Sequence, residues 1–178
     1  MADQVDTLVF DTGPLSHFAK QSWLGVLRAV VGERTAVIPD TVVYELQNGV
    51  REHVYLHSVL NASWIEQRDL IDEYEEFATF SALLVGAGNR NLGEAGVLAY
   101  AKAHGAMAII DDGPARRAAK SHNVHHQGTL ALLCESIRSE LLTVDLVSAF
   151  ADHLIEGEYR LPFIPGGFRQ WAANQGMI

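Results

Sequence analysis

Two short apolar stretches of this 178-residue chain each run directly into an acid and a Gly-Pro turn. Residues 7–10 lead into Asp-Thr-Gly-Pro at 11–14, and residues 106–110 lead into Asp-Asp-Gly-Pro at 111–114. Apolar runs of this length closed by turn residues predict buried strands. Proline suits the first turn of a helix, because its missing N–H would be unpaired there anyway. Each stretch therefore predicts a strand, an acid at its carboxyl end, and a helix that begins at once.

Other strands and helices alternate around these two stretches. Two further strands are predicted at 35–38 and 64–67, with a weak last strand at 123–126. Helices are predicted at 14–20, 23–31, 72–84, 92–104, 144–156 and 168–174, with others after Pro39 and Gly128. Apolar strands that alternate with helices are typical of a parallel sheet covered on both faces. We therefore predict a three-layer α/β/α fold that binds its ligands at the carboxyl ends of the strands.

The helix after Pro39 is predicted to begin with a polar cap and to bury one stripe. Either Asp40 or Thr41 can cap it. Its apolar side chains recur at the three-to-four spacing of an amphipathic helix. The predicted buried positions are Val43, Leu46, Val50 and Val54.

Composition and charge limit the function classes. The net charge of −9, from 22 acids and 13 bases, argues against non-specific nucleic-acid binding over the whole surface but not against a local nuclease site. The single cysteine, Cys134, excludes an internal disulfide and a cysteine-rich zinc site. No window approaches the roughly 18–20 apolar residues of a membrane span, and residues 1–6 do not read as a signal peptide. We therefore expect a cytoplasmic protein without membrane contact.

Four acids occur where such a sheet turns toward its ligand edge. Asp11 and Asp112 follow strands, whereas Glu45 and Glu94 lie early in helices. Each has an ordinary structural interpretation, since Asp often caps helices and the helix dipole favours Glu in a first turn. Gathered carboxylates repel one another, however, so a fold that collects them usually does so for cations. Their oxygen ligands suit Mg²⁺ or Mn²⁺.

The sequences around these acids are Phe-Asp-Thr-Gly-Pro-Leu, Val-Val-Tyr-Glu-Leu, Leu-Gly-Glu-Ala-Gly-Val-Leu-Ala-Tyr-Ala and Ile-Ile-Asp-Asp-Gly-Pro-Ala-Arg-Arg-Ala-Ala. In this order, over residues 7–142, the chain resembles the PIN-domain nucleases and is most similar to VapC-type toxins. The resemblance implies a Mg²⁺- or Mn²⁺-dependent endoribonuclease that hydrolyses RNA phosphodiester bonds. It also implies the toxin of a toxin–antitoxin pair, with an antitoxin partner and, as in many relatives, a homodimer.

Carried over residue by residue, the resemblance implies roles for individual side chains. The catalytic acids are Asp11, Glu45, Glu94 and Asp112. The metal ligands are Asp11, Glu94, Asp112 and Asp111, where Asp111 shares or replaces the role of Asp112 because the double acid leaves the alignment open by one position. The supporting hydroxyls are Thr12 and Thr129, and the candidates for phosphate binding are Arg116 and Arg117, for which a solvated helix face is the alternative. Residues 1–142 are predicted as the nuclease domain and 143–178 as a helical extension packed on it.

The same residues also occur in other classes of protein. The triplet at 11–13 also occurs in aspartic proteases, but those have a mostly β scaffold and this chain is rich in predicted helices. A haloacid-dehalogenase-type phosphatase needs a second Asp at the position of Gly13. The remaining alternative is a PIN-like scaffold that binds RNA or protein with weak or no catalysis. The intact set of four acids argues against it, because a scaffold has no reason to maintain their mutual repulsion.

Overall fold

The computed structural model describes residues 6–157 and 159–178; residues 1–5, which carry most of the expectation about a signal peptide, lie outside the described residues. Its strands are β1 (Thr7–Phe10), β2 (Thr35–Pro39), β3 (Ile65–Arg68), β4 (Met107–Ile109) and β5 (His126–Gln127). They pair in parallel as one sheet of order β3-β2-β1-β4-β5. The predicted parallel α/β sheet is therefore confirmed.

Ten α-helices of the described residues surround this sheet. They are α1 (Thr12–Lys20), α2 (Leu24–Val31), α3 (Asp40–Gly49), α4 (His57–Leu60), α5 (Tyr74–Leu84), α6 (Leu92–His104), α7 (Gly113–Ser121), α8 (Thr129–Arg138), α9 (Val144–Glu156) and α10 (Phe168–Asn174). Short 3₁₀ turns occur at Val54–Leu56 and Ala87–Asn89. Within the part of the chain that the structure describes, no helix has the length and apolar character needed to cross a membrane.

Strand β1 lies at the centre of the sheet and is covered on both faces. Leu8, Val9 and Phe10 are all at most 1% exposed. Phe10 pairs with Ile109 of β4, and the N–H of Asp11 donates to the Ile109 carbonyl at 3.2 Å. This register brings the residues that follow β1 and β4 to the same edge of the sheet.

The predicted buried stripe of α3 is wrong at its far end. Val54 is 73% exposed, because α3 ends at Gly49 and Val54 belongs to a separate 3₁₀ turn. Val42 is buried instead, in the same helix as the correctly predicted Leu46. Neither Asp40 nor Thr41 is the N-cap, since Pro39 occupies that position and the helix already begins at Asp40.

The last strand lies further along the chain than predicted. Asn123 has a positive φ of 54° and Val124 donates its N–H back to the Ala119 carbonyl at 2.9 Å, so these residues close the turn after α7. Strand β5 consists of His126 and Gln127 only. Pairing with β4 begins where the chain leaves this turn.

Helix α9 packs against α1 and against Trp23, the residue that precedes α2. In α9, the Phe150 ring stacks on Phe18 of α1 with centroids 4.4 Å apart and lies 4.8 Å from the Trp23 ring. Lys20 Nζ also donates to the Gly157 carbonyl at 3.2 Å. Residues 143–178 are thus attached to the body of the fold, and their division from 1–142 as a separate extension stays a prediction.

Candidate active site

Asp11 occupies the N-cap of α1, immediately after the central strand. It is only 6% exposed, and its Oδ2 accepts a hydrogen bond from the Gly13 N–H at 3.3 Å. Its Oδ1 is buried and has no hydrogen-bond partner among the described residues. A buried carboxylate oxygen without a partner is unfavourable, so it calls for a specific explanation.

The neighbouring acids make the charged form of Asp11 less favourable. Burial raises the pKa of Asp11 well above its ordinary value, and the charges of Glu94 and Glu45 raise it further. Burial is also the main reason that the pKa of Glu94 is raised, and the charges of Glu45 and Asp112 add to it. The four predicted acids therefore act on one another electrostatically, as carboxylates in functional sites often do.

Glu45 lies in the middle of α3 and not early in the helix as predicted, because α3 begins at Asp40. Both of its carboxylate oxygens accept hydrogen bonds. Thr12 Oγ1 donates to its Oε2 at 2.6 Å, and the Gly93 N–H donates to its Oε1 at 2.8 Å. A side chain at position 93 would place its Cβ 2.5 Å from Oε2, so the approach of Glu45 requires a glycine there. Thr12 was predicted as a supporting hydroxyl, whereas the part of Gly93 was missed. Its sequence signal was an isolated glycine within a helical pattern, directly before Glu94.

The two consecutive acids after β4 have different surroundings. Asp112 caps α7 through its Oδ1, which accepts from the Ala115 N–H at 2.8 Å. Asp111 is bound at both oxygens by Thr129, whose N–H donates to Oδ1 at 2.8 Å and whose hydroxyl donates to Oδ2 at 2.6 Å. Gly128 permits this approach, because a Cβ there would lie 2.8 Å from Asp111 Oδ1. Asp112 thus lies with the acids around Glu94, and Asp111 is engaged by the start of α8.

Two aromatic side chains beside Asp111 were not predicted. The His17 and Tyr159 rings meet edge to face with centroids 4.1 Å apart. Burial and the adjacent Asp111 carboxylate raise the pKa of the Tyr159 phenol. Burial lowers the pKa of His17, and the Asp111 charge opposes this effect. Neither residue belongs to a motif, and no local pattern of the sequence marks them.

The two predicted phosphate-binding arginines are both exposed on α7. Arg116 lines a cavity together with Asp111. Arg117 Nη1 lies 3.4 Å from where a Cβ of Gly113 would stand. Arg116 therefore shares a cavity with Asp111, one of the predicted acids.

Whether the acids suit a cation can be judged from their oxygens. Within residues 6–157 and 159–178, no three His, Cys, Asp or Glu side chains are arranged, as they stand, to hold a metal ion. The hydrogen bonds of Asp111 to Thr129 and of Glu45 to Thr12 and Gly93 use oxygens that an ion would need. The unpartnered oxygen of Asp11 and the mutual rise in pKa nevertheless suit a cation, which would relieve both. The donor set fits Mg²⁺ or Mn²⁺ chemically, and binding requires side chains to reorient.

Comparison with known proteins identifies the family. The fold is similar to a chain in the crystal structure of VapBC2 from Rickettsia felis bound to a DNA fragment from their promoter, with a TM-score of 0.50 and 17% identity, over 68% of this chain and 98% of that one. No curated protein matches the sequence. The family model DUF3368, described as a PIN domain, matches residues 7–163. PIN domains are generally nucleases that use divalent metal ions. Because this family model matches most of the chain, the chain belongs to the PIN-domain family.

Proposed function

We propose that this protein is a metal-dependent endoribonuclease that hydrolyses RNA phosphodiester bonds and serves as the toxin of a toxin–antitoxin pair. One observation carries the proposal: Asp11 is buried, one of its oxygens has no partner among the described residues, and Glu94 and Glu45 raise its pKa. Perturbed carboxylates of this kind concentrate at functional sites. The PIN-domain family supports the nuclease class.

In this proposal Asp11, Glu94 and Asp112 hold Mg²⁺ or Mn²⁺, and Glu45 completes the set of four acids. When bound, such a cation acts as a Lewis acid and lowers the pKa of a coordinated water. Asp11 directly follows the buried central strand β1, so its position is well defined. Glu45 is oriented by the Thr12 hydroxyl and the Gly93 N–H.

Asp111 and Thr129 support the site in a different way. Both oxygens of Asp111 accept hydrogen bonds from Thr129, which ties the end of β4 to the first residue of α8. We therefore assign the ligand role to Asp112 and a positioning role to Asp111. Substituting such supporting partners typically lowers activity by about 10- to 100-fold, less than loss of a ligand.

The partners follow from the proposed activity and from the shared fold. RNA is the substrate, an antitoxin protein is the proposed partner, and a homodimer is the proposed assembly. The similarity to a chain of VapBC2 supports the toxin part of the proposal.

The test is cleavage of an RNA pool with Mg²⁺ or Mn²⁺ by the wild type, Asp11→Asn and Glu94→Gln. We expect cleavage by the wild type that stops with EDTA, and a loss of more than about 100-fold in both variants, beyond the loss from supporting partners. Glu33→Gln is the matched control, since Glu33 is an exposed acid outside the site. Equal activity in all variants, or none in any with metal present, contradicts the proposal.

A further inference from the structure

A cavity of about 350 Å³ lies beside the acidic site, on the side of Asp111. Its walls come from the end of β4 and α7, from the turn before α8 and the first turn of α8, and from the C-terminal segment. The lining residues that matter here are Asp111, Arg116, Tyr159, Arg160, Trp171 and Met177. Its volume falls within the range of about 300–1,000 Å³ typical of small-ligand sites.

The aromatic walls of this cavity are held in place by contacts outside it. The Tyr159 ring packs against His17 of α1 at 4.1 Å. The Trp171 ring lies 5.3 Å from Phe163 and 6.3 Å from Phe168. Both rings are therefore positioned before any ligand arrives, which lowers the entropic cost of binding.

The charge of the cavity differs from that of the chain as a whole. The chain carries −9, yet Arg116 and Arg160 both line this one cavity. Among the described residues, neither arginine forms a salt bridge with an acid. The one acid in the lining, Asp111, already accepts two hydrogen bonds from Thr129. The two guanidinium groups are thus available to an anionic ligand.

We propose that this cavity binds an unpaired nucleotide of a single-stranded RNA, next to the bond that the acids cleave; this inference rests on the proposed ribonuclease function. Tyr159 and Trp171 offer faces for base stacking, and Arg116 and Arg160 bind the adjacent phosphates. Aromatic faces combined with basic side chains are the usual means of holding single-stranded nucleic acid. A duplex can supply an unstacked base only at the energetic cost of unpairing it, which favours the single strand.

This assignment gives the C-terminal segment a function in substrate selection. Tyr159, Arg160 and Trp171 all belong to the segment predicted as an extension. The Lys20 contact with the Gly157 carbonyl and the packing of Phe150 on Phe18 attach this segment to α1, which begins next to Asp11. The cavity and the acids therefore keep a constant spacing, as selection of a cleavage position requires.

The experiment measures binding and cleavage separately in the full-length protein. Binding of a labelled RNA oligonucleotide is followed by fluorescence anisotropy in the Asp11→Asn background without divalent metal. The RNA is either single-stranded or annealed to its complement, and it is long enough for the duplex to stay paired under the conditions of the assay. We expect Arg160→Gln and Trp171→Leu each to weaken single-strand binding by about tenfold, in line with the loss of one stacked base or phosphate contact. Arg28→Gln, an exposed arginine on α2 outside the cavity, is the matched control. In otherwise wild-type protein with metal, the same substitutions should raise KM and change which positions are cut.

Tryptophan emission gives a readout that a purely structural role would not change. We expect the single strand to quench the emission of the parent protein, which contains three tryptophans, and not that of Trp171→Leu, which retains Trp23 and Trp64. If Trp171→Leu does not fold by circular dichroism, the exposed Arg160→Gln decides the question alone.

The outcomes separate this inference from the proposed function. The inference is overturned if the wild type cleaves RNA and if KM, cleavage positions and RNA affinity are unchanged in Arg160→Gln and Trp171→Leu. The proposed nuclease function would remain. The same result is expected if the cavity binds a segment of a protein partner instead of RNA. Equal affinity for duplex and single strand likewise overturns it. Absence of cleavage by the wild type, together with cavity-dependent binding of the single strand, rejects only the nuclease activity.

Discussion

Asp11 and Asp111 each follow an apolar strand and precede a Gly-Pro turn, yet the surroundings of their carboxylates differ. Asp11 is buried with one oxygen unpartnered and is surrounded by Glu45 and Glu94. Asp111 accepts hydrogen bonds at both oxygens from Thr129. The same local architecture thus supplies one carboxylate that needs an external partner and one that is satisfied within the fold. We infer that a strand-end acid becomes reactive through what the other elements bring to it.

The largest expected difference between these two acids is in catalysis. Asp11→Asn should lower RNA cleavage by more than about 100-fold, whereas Asp111→Asn, which keeps the size and one acceptor oxygen, should lower it by about tenfold, as loss of a supporting partner does. Steady-state cleavage of one defined RNA measures both. Equal losses would make Asp111 a ligand and end the distinction between the two acids.

Metal ions should stabilise the protein through one of these acids only. Mg²⁺ at 100 times its Kd should raise the free energy of unfolding of the wild type by about 2.7 kcal/mol, because it binds the folded state. Thermal unfolding with and without Mg²⁺ should show this gain in the wild type and in Asp111→Asn, and EDTA should remove it. A full gain in Asp11→Asn would contradict the role of Asp11.

Truncating Asp111 should destabilise the metal-free protein. Asp111→Ala leaves the buried Thr129 hydroxyl and N–H without their acceptor, which should lower the free energy of unfolding by about 1–3 kcal/mol. Urea unfolding at pH 7 measures this loss. The control is Asp145→Ala, whose salt bridge with Arg169 is exposed and should contribute only about 0–1 kcal/mol. A double-mutant cycle with Thr129→Val should show strong coupling, and additive losses would count against the Asp111–Thr129 contact.

Neutralising Asp11 should raise the free energy of unfolding, the opposite of the effect of Asp111→Ala, and by a smaller amount. Asp11→Asn should raise the free energy of unfolding of the metal-free protein by on the order of 1 kcal/mol at pH 7, about 2–4 °C in Tm, by removing a buried charge repelled by Glu94 and Glu45.

The stability gained in Asp11→Asn should increase as the pH rises. The folded pKa of Asp11 is raised, so the wild type has its full relative stability below the unfolded pKa of about 3.9 and loses it as the pH rises through the folded value. The Tm difference between Asp11→Asn and the wild type should therefore be near zero in acid and grow toward pH 8. A Tm difference that shrinks as the pH rises would contradict a raised pKa of Asp11 in the folded state.

The strands and the edge that carries the acids could be predicted because their signals are local. The apolar runs that became β1 and β4 end at the acids themselves, and parallel pairing places those ends together. Helical periodicity failed at Val54, because spacing alone does not show that α3 has ended five residues earlier.

The state of each acid could not be predicted, because it depends on contacts between distant residues. The hydrogen bonds between Asp111 and Thr129 require the turn at Gly128 to approach the end of β4. The contact between Tyr159 and His17 depends on the packing of α9 on α1 and on Trp23. The roles assigned to the four acids, to Arg116 and to Arg117 stay predictions until the variants are measured.

The central position of β1 also determines when the site can exist during synthesis. Leu8 pairs with Met107, so the neighbour of β1 on one side leaves the ribosome long after β1 itself. Glu94 and Asp112 also belong to the second half of the chain, and chains fold from their N-terminal parts as they emerge. A nascent chain shorter than about the first 112 residues lacks one of the four acids altogether. A ribonuclease activity that depends on the proposed site therefore cannot begin before most of the chain has been made.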